Sequence, residues 1–196
     1  MNVRHIMLIL ALGASLLLAG CFGGPEEHEL APFNPMGISG KHDPQAEKWF
    51  AMAHVLWKDN TCTDPDKAIE YLDKALKIEP DYTQALLRRG LAYSEQQRWE
   101  PAFADMSRAV RLAPSAETYT WRGLVMLRMG NALGAIKDTT RAIQYDSAYN
   151  QAWNIRGGAK LVTGDAAGAC EDFTNGCSTG DCTGLESAQR ENICPK

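Results

Sequence analysis

Small residues recur in this chain with a period of 33 to 34 residues. One series is Gly90, Gly123 and Gly157, and two alanine series share its spacing: Ala75, Ala109 and Ala142, and Ala102, Ala135 and Ala169. Small residues at such a period are typical of close crossings between paired antiparallel helices. Because a glycine inside a helix costs about 1 kcal/mol relative to alanine, the glycine series requires a packing reason. The sequence therefore predicts an all-α solenoid of helical hairpins.

The residues around these series resemble the tetratricopeptide repeat (TPR), a helical hairpin with aromatic, small and proline residues at fixed positions. The first hairpin carries Trp49, Met52, Ala53, Leu56, Tyr71, Leu72, Ala75 and Pro80, and the second carries Leu86, Gly90, Tyr93, Ala102, Met106, Ala109 and Pro114. The third carries Tyr119, Gly123, Met126, Ala135, Ala142 and Ser147, and the fourth carries Trp153, Gly157, Leu161, Ala169 and Phe173.

This resemblance covers residues 45 to about 176 and implies three full repeats, a partial fourth and a C-terminal capping helix. We place the helices of the first hairpin at residues 45–58 and 66–78, and we expect the fourth to depart from the pattern at Gly176. A TPR array implies a surface that holds other proteins.

The first twenty residues predict export from the cytoplasm. After Arg4, an apolar run from Ile6 to Ala19 is too short for a comfortable transmembrane span and suits a signal peptide. Residues 18–21, Leu-Ala-Gly-Cys, resemble the bacterial lipobox. The resemblance implies cleavage before Cys21, a diacylglyceryl group on its sulfur, and a further acyl chain such as palmitate on its amine. It favours the outer membrane, facing the periplasm; the alternative is a secretory signal with an accidental cysteine.

We divide the chain into a signal peptide (1–20), a lipidated cysteine with a flexible tether (21–44) and a TPR domain (45–196). The tether prediction rests on four glycines and four prolines between residues 22 and 44, without apolar periodicity. Removal of the signal takes away Arg4 and no acidic residue, so the formal net charge changes from −4 to −5. This mild acidity argues against a nucleic-acid partner.

An arginine precedes each glycine of the series, and an aspartate follows each arginine sixteen residues later. The pairs are Arg89 with Asp105, Arg122 with Asp138, and Arg156 with Asp172. Sixteen residues across a hairpin bring the two helices side by side, so we predict bidentate ion pairs with a structural role. The first repeat has Met52 and Tyr71 at these positions. An anion site or acid–base chemistry is the alternative, and repetition in successive repeats disfavours it.

By the TPR resemblance, first-helix residues line a concave groove that binds partners. The candidate groove residues are Phe50, His54, Trp57, Leu87, Leu91, Ser94, Thr120, Leu124, Leu127, Asn154 and Leu161. The lysines and asparagines with which some TPR domains hold a C-terminal carboxylate are largely missing. We therefore expect an apolar groove for an amphipathic or extended apolar segment. Alternatively, leucines such as Leu91 and Leu124 pack only against the next repeat, and Phe50 and Trp57 contact a second copy of the chain.

Four cysteines near the C-terminus, Cys170, Cys177, Cys182 and Cys194, are expected to form disulfides in an oxidising periplasm. Cys170 and Cys177 are separated by about 10 Å of rise on one predicted helix, which excludes their pairing. A terminal helix from Leu185 to Ile193 would favour Cys177–Cys182 with Cys170–Cys194 over the crossed pairing. The expected purpose is a cap for the end of the solenoid.

Cys62 is left over, either as a free thiol in the long first loop or as a link to another chain. The C-terminal cysteines contain no C-x2-C spacing, which disfavours zinc. The sequence has no nucleophile elbow, phosphate loop or H-E-x-x-H motif, and a thiol–imidazole pair of His54 with Cys62 is a weak catalytic candidate. We therefore predict a protein that is not an enzyme and has no cofactor.

The leading functional hypothesis is a lipid-anchored periplasmic adaptor that binds an envelope protein or a peptide segment, with the bilayer contacted through Cys21. A second is a pilotin-like assembly factor for an outer-membrane pilus or secretion machine. A third, from a different class, is a redox or metal-binding protein that uses the C-terminal cysteines. A homodimer through the first repeat or Cys62 is also compatible with the sequence.

Overall fold

The computed structural model describes residues 42–58 and 61–195. Within these residues it contains nine α-helices: α1 Pro44–His54, α2 Pro65–Ile78, α3 Thr83–Glu95, α4 Trp99–Leu112, α5 Ala116–Arg128, α6 Ala132–Tyr145, α7 Asn150–Val162, α8 Ala166–Ser178 and α9 Thr183–Arg190. The prediction of an all-α fold is confirmed. The signal peptide, Cys21 and most of the proposed tether lie outside the described residues. None of the described helices has the length and apolar character needed to cross a membrane.

The helices pair into four antiparallel hairpins, α1–α2, α3–α4, α5–α6 and α7–α8. The fourth hairpin is complete, whereas the sequence predicted a partial one. Gly176 lies inside α8, where the equivalent positions hold Ala109 and Ala142. A Cβ at Gly176 would lie 2.8 Å from Oδ1 of Asn154, so glycine preserves the close approach of α8 to α7. The helix continues through this position to Ser178.

The first hairpin differs from the predicted one in its first helix and loop. Helix α1 ends at His54 rather than at residue 58, and a short strand β1 (Trp57–Lys58) pairs antiparallel with β2 (Thr61–Cys62). The backbone N–H and the hydroxyl of Thr63 both donate to the Leu56 carbonyl, each at 2.8 Å. This oxygen near the helix end thus finds its donors across the loop. The longer first loop therefore folds back as a small hairpin.

Side chains cap several of the helices. The Asp43 carboxylate accepts from the backbone N–H of Gln45 at 2.8 Å, and Asp64 accepts from that of Lys67 at 3.1 Å. Ser115 forms a capping box at the start of α5. Such caps satisfy N–H groups that have no partner within a helix, and each typically contributes about 1 kcal/mol.

The recurring glycines lie where the two helices of a hairpin cross. A Cβ at Gly90 would be 2.9 Å from Cε of Met106, and one at Gly123 would be 2.9 Å from Cγ2 of Thr139. At Gly157 it would be 2.6 Å from Cε1 of Phe173. Each partner lies sixteen residues after its glycine. Glycine therefore recurs at these positions because a side chain there would clash with the second helix of the hairpin.

The last hairpin is closed by α9, which packs on both α7 and α8 in the place of a further first helix. Disulfides join Cys170 to Cys194 and Cys177 to Cys182, which is the nested pairing. Helix α9 spans Thr183–Arg190, so the predicted bounds were wrong. It begins earlier because the Asp181 carboxylate accepts from the Thr183 N–H at 3.1 Å. It ends earlier because the chain turns at Asn192, which has a φ of 55°.

Candidate partner-binding surface

All three predicted arginine–aspartate pairs are bidentate in the structure. In each pair Nε and Nη2 of the arginine donate to the two carboxylate oxygens, at distances between 2.6 and 2.9 Å. The three aspartates are buried, and Asp172 is the most completely buried of them. Asp172 also forms an ion pair with Lys160, whose Nζ lies 2.9 Å from Oδ2. Because each guanidinium is already bonded to the aspartate of its own hairpin, it has little capacity to bind another anion. The geometry is that of a structural ion pair.

Two of these arginines also contact the preceding hairpin. Nη1 of Arg89 donates to Asp73 on α2 at 2.7 Å, and Nη1 of Arg156 donates to the hydroxyl of Thr140 on α6 at 3.2 Å. Each acceptor lies sixteen residues before its arginine. One side chain therefore joins three successive helices, and the ion pairs connect repeats as well as helices within a repeat.

The first helices α1, α3, α5 and α7 define the candidate surface, which we call the inner surface. Helix α5 packs directly on both α3 and α7, whereas the second helices pack mainly on first helices. The array therefore curves toward its first helices, as expected for a solenoid that binds along a concave side.

Six of the eleven candidate groove residues are buried, so their prediction as open lining was wrong. They are Phe50, Leu87, Ser94, Thr120, Leu127 and Asn154. Phe50, for example, is 4% exposed and packs at 5.0 Å on the ring of Tyr82. Asn154 donates to the Asp181 carbonyl at 3.2 Å and so fixes the loop before α9. These side chains fill the space between neighbouring helices.

The other five candidates are half-buried and remain in part accessible: His54, Trp57, Leu91, Leu124 and Leu161. Leu91 also packs against the large core cluster, which agrees with the alternative that it serves inter-repeat packing. The accessible strip is narrower than the predicted groove. One of its five residues lies on each of α1, β1, α3, α5 and α7.

Sequence reasoning missed the charged and aromatic groups of this surface. Arg128 on α5 donates to the Ser94 hydroxyl at 2.8 Å and to Glu95 on α3 at 2.9 Å. The guanidinium carbon of Arg88 lies 5.2 Å from the ring centre of Trp57. Arg88 shares its repeat position with Trp121. Repeat register therefore marks Arg88 as a cation at a position that holds tryptophan in the next repeat, but it does not reveal the lack of a counter-charge.

Cys62 is a free thiol, buried with 7% of its surface exposed. Burial is the main cause that raises its pKa, and burial followed by the nearby charge of Arg88 lowers the pKa of His54. A protonated, buried thiol is a poor nucleophile. Both shifts therefore disfavour an activated thiol–imidazole pair. The prediction that Cys62 links two chains conflicts with this burial, because the thiol would first have to become exposed.

Within residues 42–58 and 61–195, no group of three or more histidine, cysteine, aspartate or glutamate side chains is arranged to hold a metal ion. The four C-terminal cysteines are consumed in disulfides in this structure. Their sulfur atoms serve to attach α9 to the end of the array.

Comparison with known proteins agrees with this architecture. Residues 62–117 match the sequence profile described as tetratricopeptide repeat. Human tetratricopeptide repeat protein 13 is 31% identical over 114 residues, which are 55% of this chain and 13% of that protein. The chain thus spans about an eighth of its human relative's length.

Two solved structures illustrate the shared fold. MamA from Desulfovibrio magneticus RS-1 has a TM-score of 0.59 at 14% identity, over 77% of this chain and 88% of that one. YrrB, described as a TPR protein with an unusual peptide-binding site, has a TM-score of 0.55 at 16% identity, over 76% of this chain and 78% of that one. At these identities the likeness shows the fold alone.

Residues 62–117 thus match the tetratricopeptide repeat, and the helical hairpins of the described residues share the fold of solved repeat structures. Solenoids of stacked repeats typically present an extended concave surface.

Proposed function

We propose that this protein is a lipid-anchored adaptor of the bacterial cell envelope that holds a segment of another protein on its inner surface. The observation that carries the proposal is the set of half-buried apolar and aromatic side chains on β1 and on successive first helices, such as Trp57, Leu91 and Leu124. Side chains of this kind can bury more apolar area when a partner docks, at roughly 25 cal/mol per Å². The peptide-binding site described for YrrB supports the same use of a similar fold.

The anchor in this proposal is Cys21, and its support is the lipobox-like sequence before it. Several acyl chains on one residue would hold the chain firmly, since each buried methylene contributes about 0.8 kcal/mol. Anchoring at the periplasmic side of the outer membrane would place the inner surface near envelope proteins.

The binding proposal is tested with two matched triple variants. The first, Leu91→Gln/Leu124→Gln/Leu161→Gln, makes the inner strip polar. The control, Ile78→Gln/Leu112→Gln/Leu133→Gln, changes three exposed apolar residues on the second helices. Both are affinity-purified from detergent-solubilised envelopes, after circular dichroism has shown native helix content. We expect the inner variant to lose partners that the control retains. An identical partner set for both variants would contradict binding on the inner surface.

The anchoring proposal is tested separately with Cys21→Ser. Cells are labelled with an alkyne analogue of palmitate and fractionated. We expect the native chain to carry the label and to sediment with the outer membrane, whereas Cys21→Ser is unlabelled and does not sediment there. An unlabelled native chain in the soluble fraction would overturn the anchor and leave the binding proposal intact.

A further inference from the structure

Arg88 differs from the other half-buried arginines that the structure describes. Six of the described arginines are half-buried, and five of those six form ion pairs: Arg89, Arg108, Arg122, Arg128 and Arg156. For Arg88, none of the described carboxylates or other acceptors forms a hydrogen bond or an ion pair, and its guanidinium carbon lies 5.2 Å from the ring centre of Trp57. Among the described residues it is therefore a half-buried cation without a hydrogen-bonded partner.

The surroundings of Arg88 explain why this state is costly. Burial is the main cause that lowers its pKa, and the charge of Glu117 on α5 only partly offsets the effect. A charged group withdrawn from water without a bonded counter-charge loses hydration that nothing replaces. A carboxylate that docked on the guanidinium would offset this lost hydration with a short, charge-assisted hydrogen bond.

The groups beside Arg88 restrict what can supply that carboxylate. Trp57, Leu91 and Trp121 are half-buried and pack against the same core cluster. Glu117 lies near enough to act on the charge of Arg88, and Glu95 is already bonded to Arg128. The Glu117 carboxylate would repel a doubly charged phosphate more strongly than a single carboxylate. The site thus fits one negative charge next to an apolar or aromatic group.

We infer that the inner surface recognises a segment of a partner protein in which an aspartate or glutamate side chain docks on Arg88, beside an apolar residue seated on Trp57 and Leu91. The inference rests on the proposed function, because it names the chemistry of the partner at the same surface. Arg88 is the specificity-determining group, and the leucine strip supplies the remaining contact.

The test uses a combinatorial library of N-acetylated, C-amidated heptapeptides, selected on the full chain in detergent. We expect the native chain to select peptides with an acidic residue adjacent to an apolar one. The Arg88→Gln variant should lose the acidic preference and bind the best acidic peptide about ten-fold more weakly. Arg88→Lys should retain a weaker acidic preference, since it keeps the charge but loses the planar donor pair. Arg141→Gln, which changes an exposed arginine on α6, is the control and should behave like the native chain.

The outcomes separate this inference from the proposed function. Suppose that the selected peptides show no enrichment of acidic residues but bind less well to the Leu91→Gln/Leu124→Gln/Leu161→Gln variant. This result would overturn the role of Arg88 and leave the proposed function standing. Peptides unaffected by the leucine-strip variant would overturn both. Stronger binding by free C-termini, irrespective of acidic side chains, would overturn the assignment to a side chain. A synthetic peptide of this chain's own residues 24–35, which contains Glu26, Glu27 and Glu29, is tested as a competitor of the selected peptides. If it displaced them as well as they displace one another, the assignment to a partner protein would be overturned.

Discussion

Arg122 and Asp138 form a bidentate ion pair in which Nε donates to Oδ2 at 2.6 Å and Nη2 donates to Oδ1 at 2.9 Å. Hydrogen bonding to Asp138 is the main cause that raises the pKa of Arg122. The pair links α5 to α6 beside the crossing of Gly123 with Thr139. The same arrangement recurs in the second and fourth hairpins, so each of these three crossings combines a close backbone approach with a fixed pair of charges.

Removing one partner of this pair should destabilise the fold more than removing both. Asp138→Leu leaves the Arg122 guanidinium without its counter-charge, so we expect a loss of about 3 kcal/mol in the free energy of unfolding. The double variant Arg122→Met/Asp138→Leu should lose less, since no buried charge remains. Urea unfolding measures both. Asp81→Leu is the control, because the Arg108–Asp81 pair is exposed and such pairs contribute less than about 1 kcal/mol. A double variant as unstable as Asp138→Leu would refute the prediction.

A methyl group at Gly157 should destabilise the fourth hairpin, although alanine is the better helix former by about 1 kcal/mol. The added Cβ would lie 2.6 Å from Cε1 of Phe173, and overpacking of this kind typically costs about 1–3 kcal/mol. Gly157→Ala should therefore be less destabilising when Phe173→Leu has already made room. Thermal unfolding of the two single variants and the double variant measures this coupling. Strict additivity of the three values would argue against a steric origin.

The two disulfides should contribute unequally. Cys170–Cys194 spans 24 residues of sequence and Cys177–Cys182 spans 5. In the chain-entropy description, a longer loop constrains the unfolded chain more, giving about 3.5 and about 2 kcal/mol respectively. Replacing each pair by alanine and comparing urea midpoints measures the difference. If the Cys177–Cys182 variant were the less stable of the two, native-state contacts rather than loop length would determine the contribution.

Alkaline pH should destabilise the protein through buried tyrosine. Burial raises the pKa of Tyr82 from 10.0 to about 12. Because this folded-state pKa lies above the unfolded one, the contribution of Tyr82 to stability is complete below about pH 10. It is lost as the pH rises to about 12. Tyr82→Phe keeps the ring contacts with His42 and Phe50 and should show a smaller loss across this range. If Tyr82→Phe lost as much unfolding free energy as the native chain across this pH range, other groups would be responsible for the effect.

The ion pairs could be predicted from sequence because arginine and aspartate recur together at a constant separation. A separation of sixteen residues across a hairpin places the arginine next to the aspartate, whichever residues surround the pair. Helix rise likewise excluded a disulfide between Cys170 and Cys177, whereas the nested pairing was only favoured over the crossed one, on the assumption of a terminal helix. Both predictions depended on local geometry that a helix imposes.

The depth of burial along the inner surface could not be predicted in this way. Repeat register shows which face of a helix Phe50 and Leu87 occupy, but burial depends on how closely the neighbouring helix approaches. The end of α1 was likewise missed, because it depends on hydrogen bonds from Thr63 across a loop. Arg88 was missed for a related reason, since a missing counter-charge is visible only when all neighbours are placed.

The covalent attachment of α9 has a consequence for the direction in which the array loses order. In a linear array each repeat is held only by its neighbours, so opening begins at the boundaries. Two disulfides close the boundary at α8 and α9, which leaves the first hairpin as the place where fraying starts. Trp57 belongs to that hairpin, and Arg88 packs over it. The partner contact proposed at Arg88 would therefore lie near the end at which unfolding begins, and a bound segment would restrain the end that opens first.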